Sequence, residues 1–137
     1  MILLDANVFM YAAGADHPHK APSLALLARV ASEDLSAAVD AEVLQEILHR
    51  YRALGRWRQG RLVYDLARRI VPEVLPVTAE LLDVGRELLD AHPELLARDA
   101  LHAAACKLHR AEALCSYDRD FDALTWLRRI EPRDLLD

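Results

Sequence analysis

Four acidic residues occupy positions where a carboxylate is unfavourable unless its charge is compensated. Asp5 directly follows a short apolar run of the kind that forms a buried strand, and Asp118 lies two residues after another predicted strand, at residues 113–116. Glu46 and Asp99 lie among apolar neighbours in segments with helical spacing. Because a buried carboxylate must be paired or bound to a metal, the four residues are candidates for one functional site.

A cluster of these carboxylates has the chemistry of a metal centre for phosphodiester hydrolysis. Converging carboxylates repel each other, and a divalent cation relieves that repulsion. Ligation by oxygen alone selects hard ions such as Mg²⁺ or Mn²⁺. Such an ion polarises a phosphoryl oxygen and makes an attacking water more acidic, so no Ser–His or Cys–His nucleophile pair is required.

Each acid also has a purely structural interpretation. Asp5 is placed to cap a helix, Asp118 to form a turn, and Glu46 to lie on a helix surface. Asp99 could pair with a neighbouring basic side chain. Taken singly, each structural role is favoured, and only the joint placement of the four acids indicates a function.

The elements that must position these acids alternate between short strands and helices. Apolar runs predict strands at residues 2–4, 36–39, 74–77, 113–116 and 129–130. Helical spacing predicts helices at residues 6–13, 23–31, 41–53, 58–70 and 98–111, and a further helix from the N-cap Thr78 to about His92. Pro76 suits an edge strand. This alternation predicts an α/β sheet with right-handed crossovers.

Length and composition predict a single domain spanning residues 1–137. The chain is 53% hydrophobic, which suits one independent core. Its two cysteines, Cys106 and Cys115, form no disulfide framework, which favours a reducing compartment. No apolar run approaches the roughly 20 residues of a membrane span, and the N-terminus does not resemble a signal peptide, so we expect a cytoplasmic protein.

The distribution of charge leaves a nucleic-acid partner open despite a net charge of −5. Seven arginines fall between Arg50 and Arg69. They form either a phosphate-binding stripe or an ordinary solvated helix face, and the sequence favours neither. Tyr51, Trp57 and Tyr64 are interleaved with them and could stack on bases. Core packing is the alternative, and we prefer it for Tyr51.

Four stretches of the chain resemble the PIN-domain ribonucleases, specifically the VapC-type toxins of type II toxin–antitoxin pairs. They follow the family's order across nearly the full length, at residues 3–9, 43–47, 97–104 and 115–122. The resemblance implies a three-layer α/β/α domain with a short, mostly parallel central sheet. It also implies a site that binds Mg²⁺ or Mn²⁺ and an endoribonuclease that cuts single-stranded RNA.

The resemblance assigns a role to each candidate residue. Asp5, Glu46, Asp99 and Asp118 would form the catalytic set, with Asp5 and Asp99 as metal ligands. Asn7 matches a polar residue that supports the site through hydrogen bonds.

The chain departs from the family pattern before its glutamate. The family often has Ser or Thr there, whereas this chain has Asp40-Ala41. Glu42 therefore competes with Glu46, although the residues preceding Glu46 favour the latter. Asp120 and Asp122 follow Asp118 closely and could assist the site or lie in solvent.

Other polar residues near the motifs receive secondary roles. Arg98 and Arg119 flank the site and could hold the RNA backbone through bidentate phosphate contacts. His102 lies one helical turn after Asp99, and we favour packing or hydrogen bonding over a role as general base. The His17–His19 segment is interpreted as an exposed loop, since no further zinc ligand is suitably spaced.

Two alternative functions differ in class. A haloacid-dehalogenase-like phosphatase also has an acid after its first strand, but it has a second acid two residues later and a helper lysine. Here that second position is Asn7, and lysine is scarce. A catalytically inactive PIN-like interaction module is the other alternative, and the four intact acids argue against it.

The resemblance also implies protein partners. Toxins of this kind form homodimers and are silenced by an antitoxin whose C-terminal segment lies in an apolar groove. The amphipathic helices at residues 23–31 and 41–53 are the predicted walls of that groove.

Overall fold

Five parallel strands form the sheet in the computed structural model, which describes residues 1–136. The strands lie in the order β3–β2–β1–β4–β5, and all four pairings are parallel. Their bounds are β1 (Ile2–Leu4), β2 (Ala37–Asp40), β3 (Val74–Leu75), β4 (Ala113–Cys115) and β5 (Arg129–Ile130). The edge position predicted for the strand at residues 74–77 is confirmed, but the strand ends at Leu75, before Pro76.

Helices connect the strands, and most lie close to their predicted bounds. They are α1 (Ala6–Ala13), α2 (Lys20–Ala31), α3 (Ala41–Ala53), α4 (Trp57–Ile70), α5 (Ala79–Ala91) and α6 (Ala97–Leu108), with 3₁₀ helices at Arg119–Ala123 and Pro132–Leu135. No helix in residues 1–136 combines the length and the apolar character needed to cross a bilayer.

Two helix ends differ from the prediction for local reasons. Helix α2 begins at Lys20, within the segment predicted as a loop, because Ser23 Oγ donates to the His19 carbonyl and adds a first turn. Helix α6 ends at Leu108, three residues early, because Arg110 adopts a φ of 53° that a helix cannot continue through.

Side chains of the strands alternate between two apolar cores, which makes the domain a three-layer structure. Leu3, Ala38 and Leu114 pack with α5 and α6 on one face. Leu4 and Val39, among others, pack with α1 to α4 on the opposite face. The predicted α/β/α arrangement is confirmed, and its sheet is parallel throughout.

Two strands pass directly into helices through an aspartate. Asp5 caps α1 directly after β1, and Asp40, the last residue of β2, caps α3. Both acids therefore stand at the carboxyl ends of neighbouring parallel strands. That end of the sheet is where ligands bind in open α/β folds.

Candidate active site

The four predicted acids line one cleft at the carboxyl ends of β1 and β4. The cleft has a volume of about 210 Å³, and its walls include Asp5, Glu46, Asp99 and Asp118. Asp5 and Asp118 come from the segments after the two strands, whereas Glu46 and Asp99 come from α3 and α6. The fold therefore brings together residues that are far apart in the chain.

Asp5 links the cleft to the start of α1. Its Oδ1 accepts a 2.7 Å hydrogen bond from the Ala6 N–H, so the residue is a helix cap. Burial raises the pKa of the Asp5 carboxyl, although His102 and a hydrogen bond from Ser116 oppose the rise. Capping and a place in the cleft are compatible, because the carboxylate has a second oxygen.

Asn7 and Ser116 hold that second oxygen. Ser116 Oγ donates to Asp5 Oδ2 at 2.6 Å, and Asn7 Nδ2 donates to the same oxygen at 3.3 Å. Asn7 Nδ2 also lies 3.1 Å from Ser116 Oγ, and Asn7 Oδ1 accepts from the Tyr117 N–H. Asn7 thus ties the start of α1 to the segment after β4.

His102 is completely buried between two carboxylates. Its Nδ1 lies 2.7 Å from Asp40 Oδ2, and its Nε2 lies 2.8 Å from Glu46 Oε1. Although burial opposes its charge, the hydrogen bonds to Asp40 and Glu46 raise the pKa of His102 well above its usual value. These two contacts agree with the hydrogen-bonding role predicted for His102. They account for its position without a role as general base.

Asp99 carries the clearest sign of carboxylate repulsion. Burial, then the negative charges of Asp118 and Asp5, raise the pKa of Asp99 to about 6. The predicted turn role of Asp118 is also present, because its Oδ1 accepts from the Asp120 N–H at 2.9 Å. Ionising every acid of the cleft together is therefore unfavourable without a cation.

One ligand atom from each of Asp5, Glu46 and His102 lies within 4.8 Å of the other two, a spacing compatible with a metal ion. Oxygen donors dominate the cleft once Asp99 and Asp118 are included. Such a donor set suits Mg²⁺ or Mn²⁺. The residues present therefore fit a hard divalent cation.

The competing acids lie outside the cleft. Of the described residues, its walls include neither Glu42 nor Asp120 nor Asp122. Glu42 is near Glu46, since burial and then the charge of Glu46 raise the pKa of Glu42. Asp122 pairs with Arg129 at 2.9 Å, and that hydrogen bond lowers the pKa of Asp122.

The two predicted arginines differ in position. Arg98 lines the cleft, directly before Asp99 on α6. Arg119 is exposed and, within residues 1–136, is not part of the cleft wall. Arg50 from α3, one of the seven clustered arginines, contributes to the wall instead.

The aromatic residues among the arginines have different environments. Tyr51 is 5% exposed and lies in the core, as preferred from the sequence. Tyr64 is half-buried and packs against the same core. Trp57 lies under the guanidinium of Arg52, whose Cζ is 4.6 Å from the ring centroid. None of the three lines the acid cleft among the described residues.

The histidines of the predicted loop belong to an aromatic cluster. His19 stacks on Tyr117 with ring centroids 3.9 Å apart, and Tyr11 contacts both. His17 is exposed and packs beside Tyr11 and His19. The cluster fastens the segment between α1 and α2 to the segment after β4.

Sequence reasoning did not identify Asp40 and Ser116 as site residues. A signal for Asp40 was available, because it stands between a strand and a helix as Asp5 does. Ser116 directly follows β4, at the same end of the sheet. Their contacts with the other site residues depend on how the strands are ordered, which spacing alone does not provide.

Comparison with known proteins identifies the family. A family model described as the PIN domain matches residues 2–127, nearly the whole chain. The chain belongs to the PIN-domain family. Among its relatives, the ribonuclease VapC13 of Mycobacterium tuberculosis is 41% identical over 130 residues, covering 95% of this chain and 99% of the relative.

Solved structures share the fold of this PIN domain. VapC20 of Mycobacterium tuberculosis, described as a Sarcin-Ricin loop cleaving toxin, has a TM-score of 0.75 and 21% identity, covering 90% of this chain and 95% of that one. A toxin–antitoxin complex from Klebsiella pneumoniae has a TM-score of 0.68 and 15% identity, covering 96% and 98%. The family assignment leaves the haloacid-dehalogenase-like alternative without support.

An apolar groove crosses this PIN domain on the face formed by α1, α2 and α4. It has a volume of about 230 Å³, and its lining includes Phe9, Leu24, Leu27, Val63 and Leu66. Of the two helices predicted to wall an antitoxin groove, α2 lines this groove and α3 does not. Helix α3 turns its apolar face into the core, so α4 provides the second wall.

Proposed function

We propose that this PIN domain is a metal-dependent endoribonuclease that cuts single-stranded RNA, and that it is the toxin component of a type II toxin–antitoxin pair. The observation that carries the proposal is the cleft in which Asp5, Glu46, Asp99 and Asp118 meet. Relatives named as VapC ribonucleases match 95% and 86% of the chain and support the same activity. The four acids also argue against an inactive interaction module.

Asp5 and Asp99 are the proposed ligands of Mg²⁺ or Mn²⁺, with Glu46 and Asp118 completing the catalytic set. When bound, the ion supplies a Lewis acid that offsets charge on the scissile phosphodiester and makes an attacking water more acidic. The raised pKa of Asp99 supports this assignment, because nearby carboxylates disfavour its ionised form unless a cation is present.

The remaining residues of the cleft hold these acids and the substrate. Asn7 and Ser116 fix the Asp5 carboxylate through the hydrogen bonds described above. Arg98 is placed to contact a phosphate, since a guanidinium binds phosphate oxygens in a bidentate manner. Arg119 remains a proposed contact only for a longer RNA that extends past the cleft wall.

A second cavity gives an RNA strand a path away from the acids. It has a volume of about 480 Å³ and shares Asn7, Met10 and Arg50 with the acid cleft. Arg56 also lines it. Two of the clustered arginines therefore flank a continuous depression that begins at the acids, which supports their role in binding the phosphate backbone.

Cleavage of a labelled single-stranded RNA tests the activity. We expect cleavage with Mg²⁺ or Mn²⁺ and no cleavage in EDTA. Asp99→Asn should lose at least about 100-fold, because a ligand of the ion matters more than the residues that orient a ligand, whose loss costs about 10- to 100-fold. Asp83→Asn, an exposed acid on α5, is the matched control and should cut normally. Undiminished cleavage by Asp99→Asn or in EDTA would contradict the proposal.

An antitoxin is the proposed partner of the apolar groove between α2 and α4. Leu24 and Leu66 on its rim are 49% and 47% exposed and adjoin the apolar side chains of Phe9 and Leu27, so the groove presents a contiguous apolar surface of the kind that marks a protein-interaction site. Co-expression with the small reading frame adjacent to the gene should recover a stable complex.

We also propose that the protein is a homodimer in the cytoplasm. Sedimentation equilibrium of the purified chain would measure the mass of the assembly and so test the dimer.

A further inference from the structure

The buried contacts of His102 connect two carboxylates that belong to different elements. Asp40 ends β2, Glu46 lies on α3, and His102 lies on α6. The ring nitrogens of His102 lie 2.7 Å from Asp40 Oδ2 and 2.8 Å from Glu46 Oε1. His102 is 0% exposed and Asp40 is 1% exposed, so water does not compete for the contact between them. The contact of His102 with Glu46 is partly buried, since Glu46 also borders the cleft.

Asp40 has two separate tasks, one for each oxygen. Its Oδ1 accepts a 3.1 Å hydrogen bond from the Val43 N–H and caps α3. Its Oδ2 contacts His102 Nδ1 and fixes the orientation of the ring. Capping alone would be satisfied by a serine, a threonine or an asparagine, so an aspartate with a second, buried contact indicates an additional role.

Glu46 is consequently held by one oxygen only. Its Oε1 faces His102 Nε2, and within residues 1–136 its Oε2 makes no hydrogen bond or ion pair. Glu46 also lines the acid cleft, with its side chain 15% exposed. The free oxygen is therefore the one available to a ligand in the cleft.

We propose that Glu46 is a further ligand of the divalent cation, and that Asp40 and His102 are positioning residues that restrict it to one oxygen toward that ion. This inference rests on the proposed function for the presence of that cation. Mg²⁺ and Mn²⁺ require near-octahedral geometry, whereas Ca²⁺ readily accepts both oxygens of one carboxylate. Holding Oε1 away from the ion favours the smaller ions, so Asp40 and His102 contribute to metal affinity and metal selectivity without touching the ion.

The rival interpretation is that His102 binds the ion itself. Its Nε2 lies 3.7 Å from Asp5 Oδ1, within the spacing of a metal site. Both ring nitrogens already contact carboxylate oxygens, however, so direct ligation requires the contact with Glu46 to break.

Pulsed electron paramagnetic resonance of bound Mn²⁺ separates the two interpretations, because a directly bound nitrogen produces strong ¹⁴N coupling. We expect no such coupling, and its detection would overturn the proposal.

Two substitutions of Asp40 separate capping from positioning. Asp40→Ser keeps a good N-cap but is too short to reach His102. Asp40→Asn keeps the cap and an amide that can donate to His102 Nδ1. The metals themselves are the probes, with Mn²⁺ and Ca²⁺ affinities measured by calorimetry on the full chain.

We expect Asp40→Ser to lose about 10- to 100-fold in Mn²⁺ affinity, the usual cost of removing a residue that orients a ligand. Its Ca²⁺ affinity should fall less, so the ratio of Ca²⁺ to Mn²⁺ affinity rises. Asp40→Asn should stay within about threefold of the wild type because both hydrogen bonds remain possible. His102→Gln, which breaks the same link from α6, should raise the ratio as well.

The ratio of affinities does not depend on the fraction of folded protein, so partial unfolding of Asp40→Ser cannot imitate the result. Equal affinities and ratios for Asp40→Ser, Asp40→Asn and the wild type would overturn the positioning role while leaving the proposed function intact. A wild-type chain that binds neither Mn²⁺ nor Mg²⁺ would instead overturn the proposed function and this inference with it.

Discussion

The carboxylate of Asp118 lies close enough to Asp99 to disfavour its ionisation. Burial, then the negative charges of Asp118 and Asp5, raise the pKa of the Asp99 carboxyl to about 6, whereas an aspartate in an unfolded chain has a pKa of 3.8. The two residues come from separate elements, a helix and the segment after β4. Their proximity is a property of the folded protein alone, so it links the chemistry of the cleft to folding stability.

Without metal, this link predicts a dependence of stability on pH. The folded protein retains a proton on Asp99 that the unfolded chain releases, so the contribution of Asp99 to stability is complete below about pH 4 and is lost as the pH rises through about 6. The stability of the wild type relative to Asp99→Asn should therefore decline across this window. Urea unfolding of both proteins in EDTA from pH 4 to pH 7.5 measures the difference, and a constant difference would contradict the prediction.

Ser116 should be important for activity although it does not line the cleft. Its hydroxyl donates to Asp5 Oδ2, accepts from Asn7 Nδ2, and accepts from the Asp118 N–H at 3.0 Å. We expect Ser116→Ala to lower kcat by about 10- to 100-fold, as for other residues that orient metal ligands. Ser32→Ala, at an exposed serine after α2, is the control and should cut RNA at the wild-type rate.

The apolar groove should be separable from catalysis. A charge introduced by Leu66→Glu would have to be buried under a partner in the groove, which is unfavourable without a counter-charge. We expect co-purification with the antitoxin to be lost while cleavage of RNA by the free toxin is unchanged. The control is Leu82→Glu on α5, which introduces the same charge at a leucine of similar exposure, 49%, outside the groove. This variant should retain the complex. Loss of the complex in both variants would indicate a general effect of charge.

Close packing of α3 against α4 predicts a stability effect away from the cleft. A Cβ on Gly60 would lie 2.4 Å from Tyr51 Cβ, whereas a Cβ on Gly85 would meet its nearest neighbour at 3.4 Å. Gly60→Ala should therefore lower the free energy of unfolding by about 1–3 kcal/mol, the usual cost of overpacking. Gly85→Ala should be neutral or stabilising, since alanine favours a helix by up to about 1 kcal/mol over glycine. Denaturant unfolding of the two variants compares them directly.

Much of the architecture follows from local sequence. The bounds of α1 and α3 agree with the apolar spacing, because each helix begins at an aspartate that caps it and follows a short apolar strand. Pro76 indicated the edge strand, and Thr78 indicated the start of α5. Helix caps, proline and the spacing of apolar residues influence only residues that are close in the chain. Their structural effects can therefore be predicted from the sequence alone.

The sequence by itself determined the α/β class and most helix bounds. It also singled out the four acids and Asn7, which the structure places in one cleft. Only the tertiary structure decided that His102 contacts both Asp40 and Glu46, that Ser116 holds Asp5, and that Arg50 rather than Arg119 borders the cleft. It also decided that α4 rather than α3 walls the apolar groove. These contacts depend on the order of strands and on the rotation of each helix about its axis as it packs on the sheet, and no local pattern specifies either.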